Sequence, residues 1–368
     1  MRNFLLLLAL CCAAGLTANP VDSLPADGPY LLYQDDGSLL AHWTWPEERR
    51  KLTLNWSEVA TTKLPPSPTF RPELIDPDRP FPRQTKVSFS EVDSVAVVSD
   101  IHGQFPVIRK LLTAHGIVDQ DLHWNFGTGH FIIVGDVFDR GPQVTEVLWW
   151  IHNLEQEAAA AGGRVHYLLG NHETMVMSGD VRYINKRYLI SGSLLTTPYQ
   201  DLFGPRSYLG RWLRSKPIAV RINGEVYVHG GISREVLREV PTLKKINDLY
   251  HRYAIKRERP QYEDTVQIAE LLVGENGPLW YRGYFLDREL EDKDIDRILR
   301  RLKASRIIVG HTSFKAVQTF FGGRVIGVDS SMKFGSLGEV LIAHNGKDYQ
   351  RGDLMGVRRP LFPQASSR

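Results

Sequence analysis

The chain has 368 residues, 42% hydrophobic and 24% charged, with a formal net charge of +3. These are ordinary proportions for a soluble globular protein, and the length is ample for one large domain with a substantial core. A small charge spread along the chain lacks the concentrated basic face of a nucleic-acid protein, so no nucleic-acid partner is expected.

In chain order, Arg2, the apolar run at residues 4–10 and the small residues up to Ala18 read as a cleaved signal peptide, residues 1–18. No later run of roughly 18 apolar residues exists, so no stable membrane insertion is expected after its removal. The protein is expected to be exported, either periplasmic or secreted. The two cysteines, Cys11 and Cys12, fall inside this segment, which leaves the mature chain without a disulfide framework or thiolate metal ligands.

Residues 19–83 read as a β-rich leader and a Pro-rich linker. Residues 30–33 and 39–45 are apolar and aromatic around the turn Asp35-Asp36-Gly37. Pro65, Pro66, Pro68, Pro72, Pro77, Pro80 and Pro82 mark an extended strap. Residues 84–346 form the main domain. Strands are expected at 94–99, 131–134 and 165–169, separated by the helical spacings of Val107, Ile108, Leu111 and Leu112, then of Val144, Val147, Leu148, Ile151 and Leu154. That alternation implies right-handed crossovers and a parallel sheet covered on both faces, an α/β fold. Trp149 and Trp150 read as core with partial exposure. Residues 217–222 and 226–229 flank Asn223-Gly224, a hairpin signal, and 306–309, 324–328 and 340–343 are further strands. Segments 174–215 and 234–301 leave the sheet directly after polar motifs and are placed to roof a site. Residues 347–368 read as a polar C-terminal tail.

Polar strings stand at the strand ends: Asp100-Ile-His102, Gly135-Asp136-Val-Phe-Asp139-Arg140-Gly141, Gly170-Asn171-His172-Glu173, His229-Gly-Gly231 and Gly310-His311-Thr312. In a parallel sheet, ligands gather beyond the carboxyl ends of strands. Asp-x-His alone is a weak signal, but consecutive strands delivering carboxylate, amide and imidazole groups to one edge form a metal-ligand pattern. Oxygen and imidazole donors suit manganese, iron or zinc, and Asp136 has two oxygens with which to bridge two ions. Two such ions would activate a water, align a phosphate ester and neutralise the charge built during its hydrolysis. His172, beside Asn171, is the candidate proton donor. Asp139 is placed to keep it protonated, and Arg140 offers a planar fork for phosphate oxygens.

This set resembles the phosphoprotein phosphatase branch of the calcineurin-like metallophosphoesterases, and within it the Shewanella-like protein phosphatases, over roughly residues 95–329. The resemblance implies a four-layer α/β/β/α sandwich, here with a small β-rich N-terminal leader. It implies two divalent metal ions (Mn, Fe or Zn), the first held by Asp100, His102 and Asp136, the second by Asp136, Asn171, His229 and His311. It gives His172 as the proton donor paired with Asp139, and Arg140 as a phosphate ligand. A second phosphate-binding arginine is matched by Arg282 in Gly277-Pro-Leu-Trp-Tyr-Arg282-Gly283. The implied reaction is direct attack of metal-bound hydroxide on a phosphotyrosine and/or phosphoserine/threonine of a protein or peptide, with inversion. Two departures stand out. Ser99 replaces the glycine that opens the first motif in the eukaryotic Ser/Thr enzymes, and Val328-Asp329-Ser330-Ser331-Met332 does not resemble their toxin-binding loop. The bacterial members of the subgroup tend to favour phosphotyrosine. Alternative readings are a diadenosine tetraphosphate or other small-molecule phosphoester hydrolase, which Asp139 argues against, and a non-catalytic phosphoprotein-binding module, which the complete ligand set argues against.

Overall fold

The computed structural model of this chain describes residues 26–45, 50–59, 61–62, 67–256 and 262–362. The expected signal segment 1–18, with Cys11 and Cys12, lies outside the described residues, as do Pro65 and Pro66 of the linker. Among the described residues no helix is long and apolar enough to cross a membrane.

The aromatic-rich N-terminal stretch forms an antiparallel sheet of β1 (Asp27–Tyr33), β2 (Leu39–Trp45) and β3 (Arg50–Asn55), followed by the single-turn helix α1 (Trp56–Val59). A three-stranded sheet needs a covered face to persist in water, and this one is covered by the main domain. Trp149 Nε1 donates to Pro29 O (3.0 Å), and Phe70 packs edge-on against both Trp43 and Trp149. The linker follows as a strap: Asn153 Nδ2 donates to Thr69 O (2.7 Å) and Gln156 Nε2 to Leu74 O (3.0 Å). Trp149 is therefore fully buried, at 0% exposure, rather than partly exposed as its helix alone suggests. Trp150, at 2%, is buried within the main domain, its Nε1 donating to Leu122 O (2.8 Å).

The main domain runs β4 (Ser88–Phe89), β5 (Ser94–Val98), α2 (Phe105–Ala114), β6 (His130–Val134), α3 (Val144–Ala160) and β7 (Arg164–Leu168). Next come α4 (Asn171–Met177), α5 (Lys186–Leu195), α6 (Tyr208–Arg214) and the hairpin β8 (Ala219–Ile222) and β9 (Glu225–Val228). Asn223 and Gly224 both take positive φ in that turn, as a tight hairpin requires. Helices α7 (Arg234–Glu239), α8 (Leu243–Tyr250), α9 (Glu263–Val273), α10 (Gly283–Leu286) and α11 (Asp292–Leu302) form the second excursion. The chain then closes with β10 (Arg306–Val309), β11 (Gln318–Phe320), β12 (Val325–Gly327), β13 (Glu339–His344), β14 (Asp348–Asp353) and β15 (Arg358–Pro360).

These strands make two six-stranded sheets, ordered β15-β14-β13-β5-β6-β7 and β11-β12-β10-β9-β8-β4. Strands β5, β6 and β7 are parallel, as are β9, β10 and β12. Side chains alternate across a strand, and here the alternation divides two cores. Val95, Val97, Ile132, Val134, Ile308 and Ile326 meet between the sheets. Their neighbours Ala96, Val98, Phe131, Ile133, Ile307, Val309 and Val325 face the outer core, which contains the buried faces of α2, α3, α7 and α11. The result is the four-layer α/β/β/α sandwich.

The C-terminal segment differs from expectation. Residues 348–353 pair along the whole of β13 and 358–360 pair with β14. Tyr349 is buried, its hydroxyl donating to Glu225 Oε1 (2.5 Å) and receiving Arg306 Nη1 (3.0 Å). The segment expected as a tail therefore extends the sheet up to Pro360. Its polar residues misled because an antiparallel strand with one solvated face needs apolar side chains on the other face only.

Candidate active site

Each polar motif begins where its strand ends. Asp100 and His102 follow β5, Asp136 follows β6, Asn171 and His172 open α4 after β7, His229 follows β9, and His311 follows β10. The turns are sharp. Asp100, His102, Asp136, Asp139, Arg140 and His311 all take positive φ, between 46° and 70°. This region is sparsely used by residues with a Cβ, and such strain gathers at functional sites. Backbone bonds lock the turns together: Asp100 N–H to Gly135 O (3.1 Å), His102 N–H to Asp136 O (3.0 Å) and Gly141 N–H to His102 O (2.9 Å). Gly135, at φ +81°, and Gly170 sit where the β6 and β7 turns touch. A Cβ on Gly170 would lie 2.2 Å from Asp136 Oδ1, and one on Gly135 would lie 2.7 Å from His229 Nδ1.

The turns aim their side chains at Asp136 Oδ2. His229 Nε2 lies 3.1 Å from it, and His102 Nε2 and His172 Nε2 each lie 3.8 Å away. Asn171 Oδ1 is 2.9 Å from His229 Nε2, and Asp100 Oδ1 is 3.8 Å from His102 Nε2. Two groups with metal-ligand spacing result, His102–Asp136–His172 and Asp136–His229–His311, and they share Asp136. The first group contains His172 where the sequence pattern places Asp100, which stands beside it with Oδ1 3.8 Å from His102 Nε2. Asp100 is drawn toward the second sheet, its Oδ2 accepting from Ser99 Oγ (2.6 Å) and His311 N (2.9 Å).

Orientation and burial fit these groups to a cation. His102 Nδ1 lies 2.6 Å from Phe138 O, and His229 Nδ1 lies 2.7 Å from Val134 O. A carbonyl only accepts, so both Nδ1 atoms carry the proton and both Nε2 atoms turn toward Asp136. His311 Nε2 is buried with no hydrogen-bond partner, a costly condition that a metal ion relieves. Burial alone would raise the Asp136 carboxyl, but His229, His172 and His102 hold it well below the usual range. Burial, Asp329 and then Asp136 push Asp100 up to about 8. Burial would lower His229, yet Asp136 and Asp100 bring it up to about 10. Burial takes His102 down to about 3, and burial with His229 takes His311 down to about 2. A divalent ion here would replace the proton on His229 and let Asp100 ionise.

Beside this centre, His172 Nδ1 lies 2.5 Å from Asp139 Oδ2. Arg140 is exposed at the rim, and Arg282 Nη1 donates to His311 O (2.8 Å), with Thr312 Oγ1 3.2 Å away. Half-buried Trp280 meets the His311 ring edge-on at 5.7 Å. By contrast, His115 Nε2 donates to Asp353 O (2.9 Å) and His123 contacts Glu157, in structural settings.

Two carboxylates carry roles that motif reading assigned to neither. Glu173 is fully buried. Its Oε1 accepts from Val137 N (2.7 Å), Phe138 N (3.2 Å) and Tyr167 OH (3.0 Å), and its Oε2 from Asp136 N (2.9 Å) and Gly170 N (2.5 Å). It ties the β6 turn to the β7 turn, and its place in Gly170-Asn171-His172-Glu173 was the available signal. Asp329, also buried, follows β12 as the ligand residues follow their strands, and accepts from Ser331 N (3.0 Å) and Ser313 Oγ.

Residues 94–313 match the family model described as calcineurin-like phosphoesterase. The crystal structure of a cold-active protein-tyrosine phosphatase of a psychrophilic Shewanella species is 36% identical, with a TM-score of 0.80 over 92% of this chain and 100% of that one. An uncharacterized protein of Schizosaccharomyces pombe is 29% identical over 265 residues, 70% of this chain and 77% of the yeast protein. Shewanella-like protein phosphatase 2 of Arabidopsis thaliana is 32% identical over 126 residues, 34% of this chain and 30% of the plant protein.

Proposed function

This chain belongs to the calcineurin-like phosphoesterases, in their Shewanella-like protein phosphatase branch, and is a metal-dependent phosphoprotein phosphatase; from that premise we propose that it releases phosphate from phosphotyrosine at a centre for two divalent ions. The observation that carries this reading is the carboxylate of Asp136, shared by both ligand groups, with the His172–Asp139 pair beside it. The identity to a protein-tyrosine phosphatase across nearly the whole chain supports the substrate side.

In this proposal Asp100, His102 and Asp136 hold the first ion, and Asp136, Asn171, His229 and His311 hold the second. Manganese, iron or zinc suits these oxygen and imidazole donors. When bound, the ions would supply Lewis-acid charge and an activated water. His172 gives its Nε2 proton to the ester oxygen as that bond to phosphorus breaks, and Asp139, at Nδ1, orients the ring and favours the imidazolium that does so. Arg140, after β6, and Arg282, beside His311, would serve as forks for the phosphoryl oxygens. The proposed location is exported, periplasmic or secreted, which the apolar run at residues 4–10 supports.

The test is phosphate release from phosphotyrosine and phosphothreonine peptides and from a dinucleoside polyphosphate, with and without chelator. Chelator-sensitive release, fastest from phosphotyrosine, is the expected result. Release from the polyphosphate alone would favour a small-molecule hydrolase. Absence of both release and bound metal would favour a phosphoprotein-binding module.

A further inference from the structure

Tyr183 is a large aromatic side chain left 45% exposed next to the proton donor. It lies between α4 and α5, in the first of the two excursions that leave the sheet after a motif. Its ring centroid is 5.5 Å from that of His172. Two guanidinium groups stand within cation–π range of the same ring, Arg140 at 5.6 Å and Arg182 at 5.8 Å.

The segment that carries the ring is held in place. Arg140 N–H donates to Tyr183 O (3.0 Å), and Asn185 Nδ2 donates to Arg140 O (2.8 Å) while its Oδ1 caps α5 by accepting from Arg187 N (3.0 Å). Asp180 grips Arg182 through Nε (2.9 Å) and Nη2 (2.5 Å). An exposed aromatic costs solvation unless something covers it, and this one is flanked by Arg140 and Arg182 rather than folded inward.

We infer that Tyr183 is the platform on which the aryl ring of a phosphotyrosine substrate rests, and so a determinant of tyrosine over threonine. The inference deepens the reading proposed above and rests on it. The atom that takes the His172 proton is the ester oxygen. In phosphotyrosine that oxygen is bonded directly to the ring, so the substrate ring must lie beside His172, where Tyr183 already stands. Phosphothreonine places only a small branched carbon there and gains little from an aromatic neighbour. Offset or edge-on ring pairs form at centroid separations of about 4.5–7 Å, and the 45% exposure of Tyr183 leaves ring surface available to such a partner.

The experiment compares one peptide sequence carrying phosphotyrosine or phosphothreonine at the same position, with wild type, Tyr183→Phe and Tyr183→Leu, each checked for thermal stability. The ratio of kcat/KM for the two peptides should fall about three- to tenfold in Y183L, through KM for phosphotyrosine, the scale of one aromatic contact. Y183F should keep the wild-type ratio. A ratio unchanged in Y183L overturns the platform, as does an equal loss on both peptides, which would mark Tyr183 as a prop for His172. A wild type that prefers phosphothreonine removes the tyrosine reading itself, and the platform with it.

Discussion

The Nδ1 atom of His172 lies 2.5 Å from Asp139 Oδ2, and this contact leaves Nε2 as the ring atom facing Asp136, 3.8 Å from its Oδ2. Burial by itself would lower the pKa of His172, but the charge of Asp136 and the bond and charge of Asp139 raise it overall. The imidazolium thus persists to higher pH than in a free histidine, which is the condition for a general acid.

Replacing His172 by Asn should keep the fold and lower kcat by about two to four powers of ten on a phosphothreonine peptide. The loss should be smaller on aryl phosphates, because a phenol of pKa about 10 leaves with less help than an alcohol. Asp139→Asn should shift the alkaline limb of the rate profile to lower pH, since one of the two carboxylates that raise His172 is gone. Steady-state kinetics across pH checks both. An equal loss on every leaving group would remove His172 from the proton-donor role.

Stripping divalent metal should abolish turnover and lower thermal stability together. Asp100, Asp136 and Asp329 are buried near one another, and the first is held protonated by that crowding. Ligand in about hundredfold excess over its Kd adds roughly 3 kcal/mol to the folded state, which corresponds to a Tm change of about 4–6 °C for a chain of this size. Differential scanning calorimetry with chelator and with manganese returned measures it, and metal analysis of His311→Ala should show a loss of bound ion. A Tm indifferent to chelator would argue against a resident metal.

Glu173→Gln should be nearly as damaging as Glu173→Ala. Both carboxylate oxygens accept from backbone N–H groups, Oε1 from Val137 and Phe138 and Oε2 from Asp136 and Gly170. Either orientation of the amide therefore points N–H at N–H. Leaving such buried donors unmatched should cost about 2–4 kcal/mol of stability, seen in urea unfolding. The turn that carries Asp136 would shift with it, so kcat should fall as well.

His152 predicts an acid limb in stability. It is fully buried among Trp149, Tyr208 and Trp212, and burial, then Lys216 and Arg79, takes it down to about 3. The unfolded chain binds a proton below about pH 6.5 that the folded chain refuses, so stability is present above that pH and drains as pH falls toward 3. The slope from this one group is about 1.4 kcal/mol per pH unit. Urea titrations from pH 7.5 to 5 on wild type and His152→Gln should show the variant with the shallower slope.

The residues gathered around Asp136 were legible in the sequence because they stand at the ends of short apolar runs, and a strand end is a local property. Arg282, in a loop, came only from the family resemblance. The same holds for the βαβ order and for the Asn223-Gly224 hairpin. Glu173 and Tyr183 were written in the sequence but not readable as a hub and a rim residue. Their roles depend on which turns the two sheets bring side by side, such as Asp136 N against Glu173 Oε2.

The chain by itself determined the chemistry, through carboxylates, imidazoles and an amide spaced one strand apart. Only the tertiary structure decided that β1 to β3 cover Trp149, that residues 348–360 extend the sheet rather than trail from it, and that Tyr183 stands next to His172. Motif chemistry follows from residue type and local period. Packing of a half-polar antiparallel strand, an aromatic leader or an exposed ring follows from what lies across the gap, and that partner is distant in sequence.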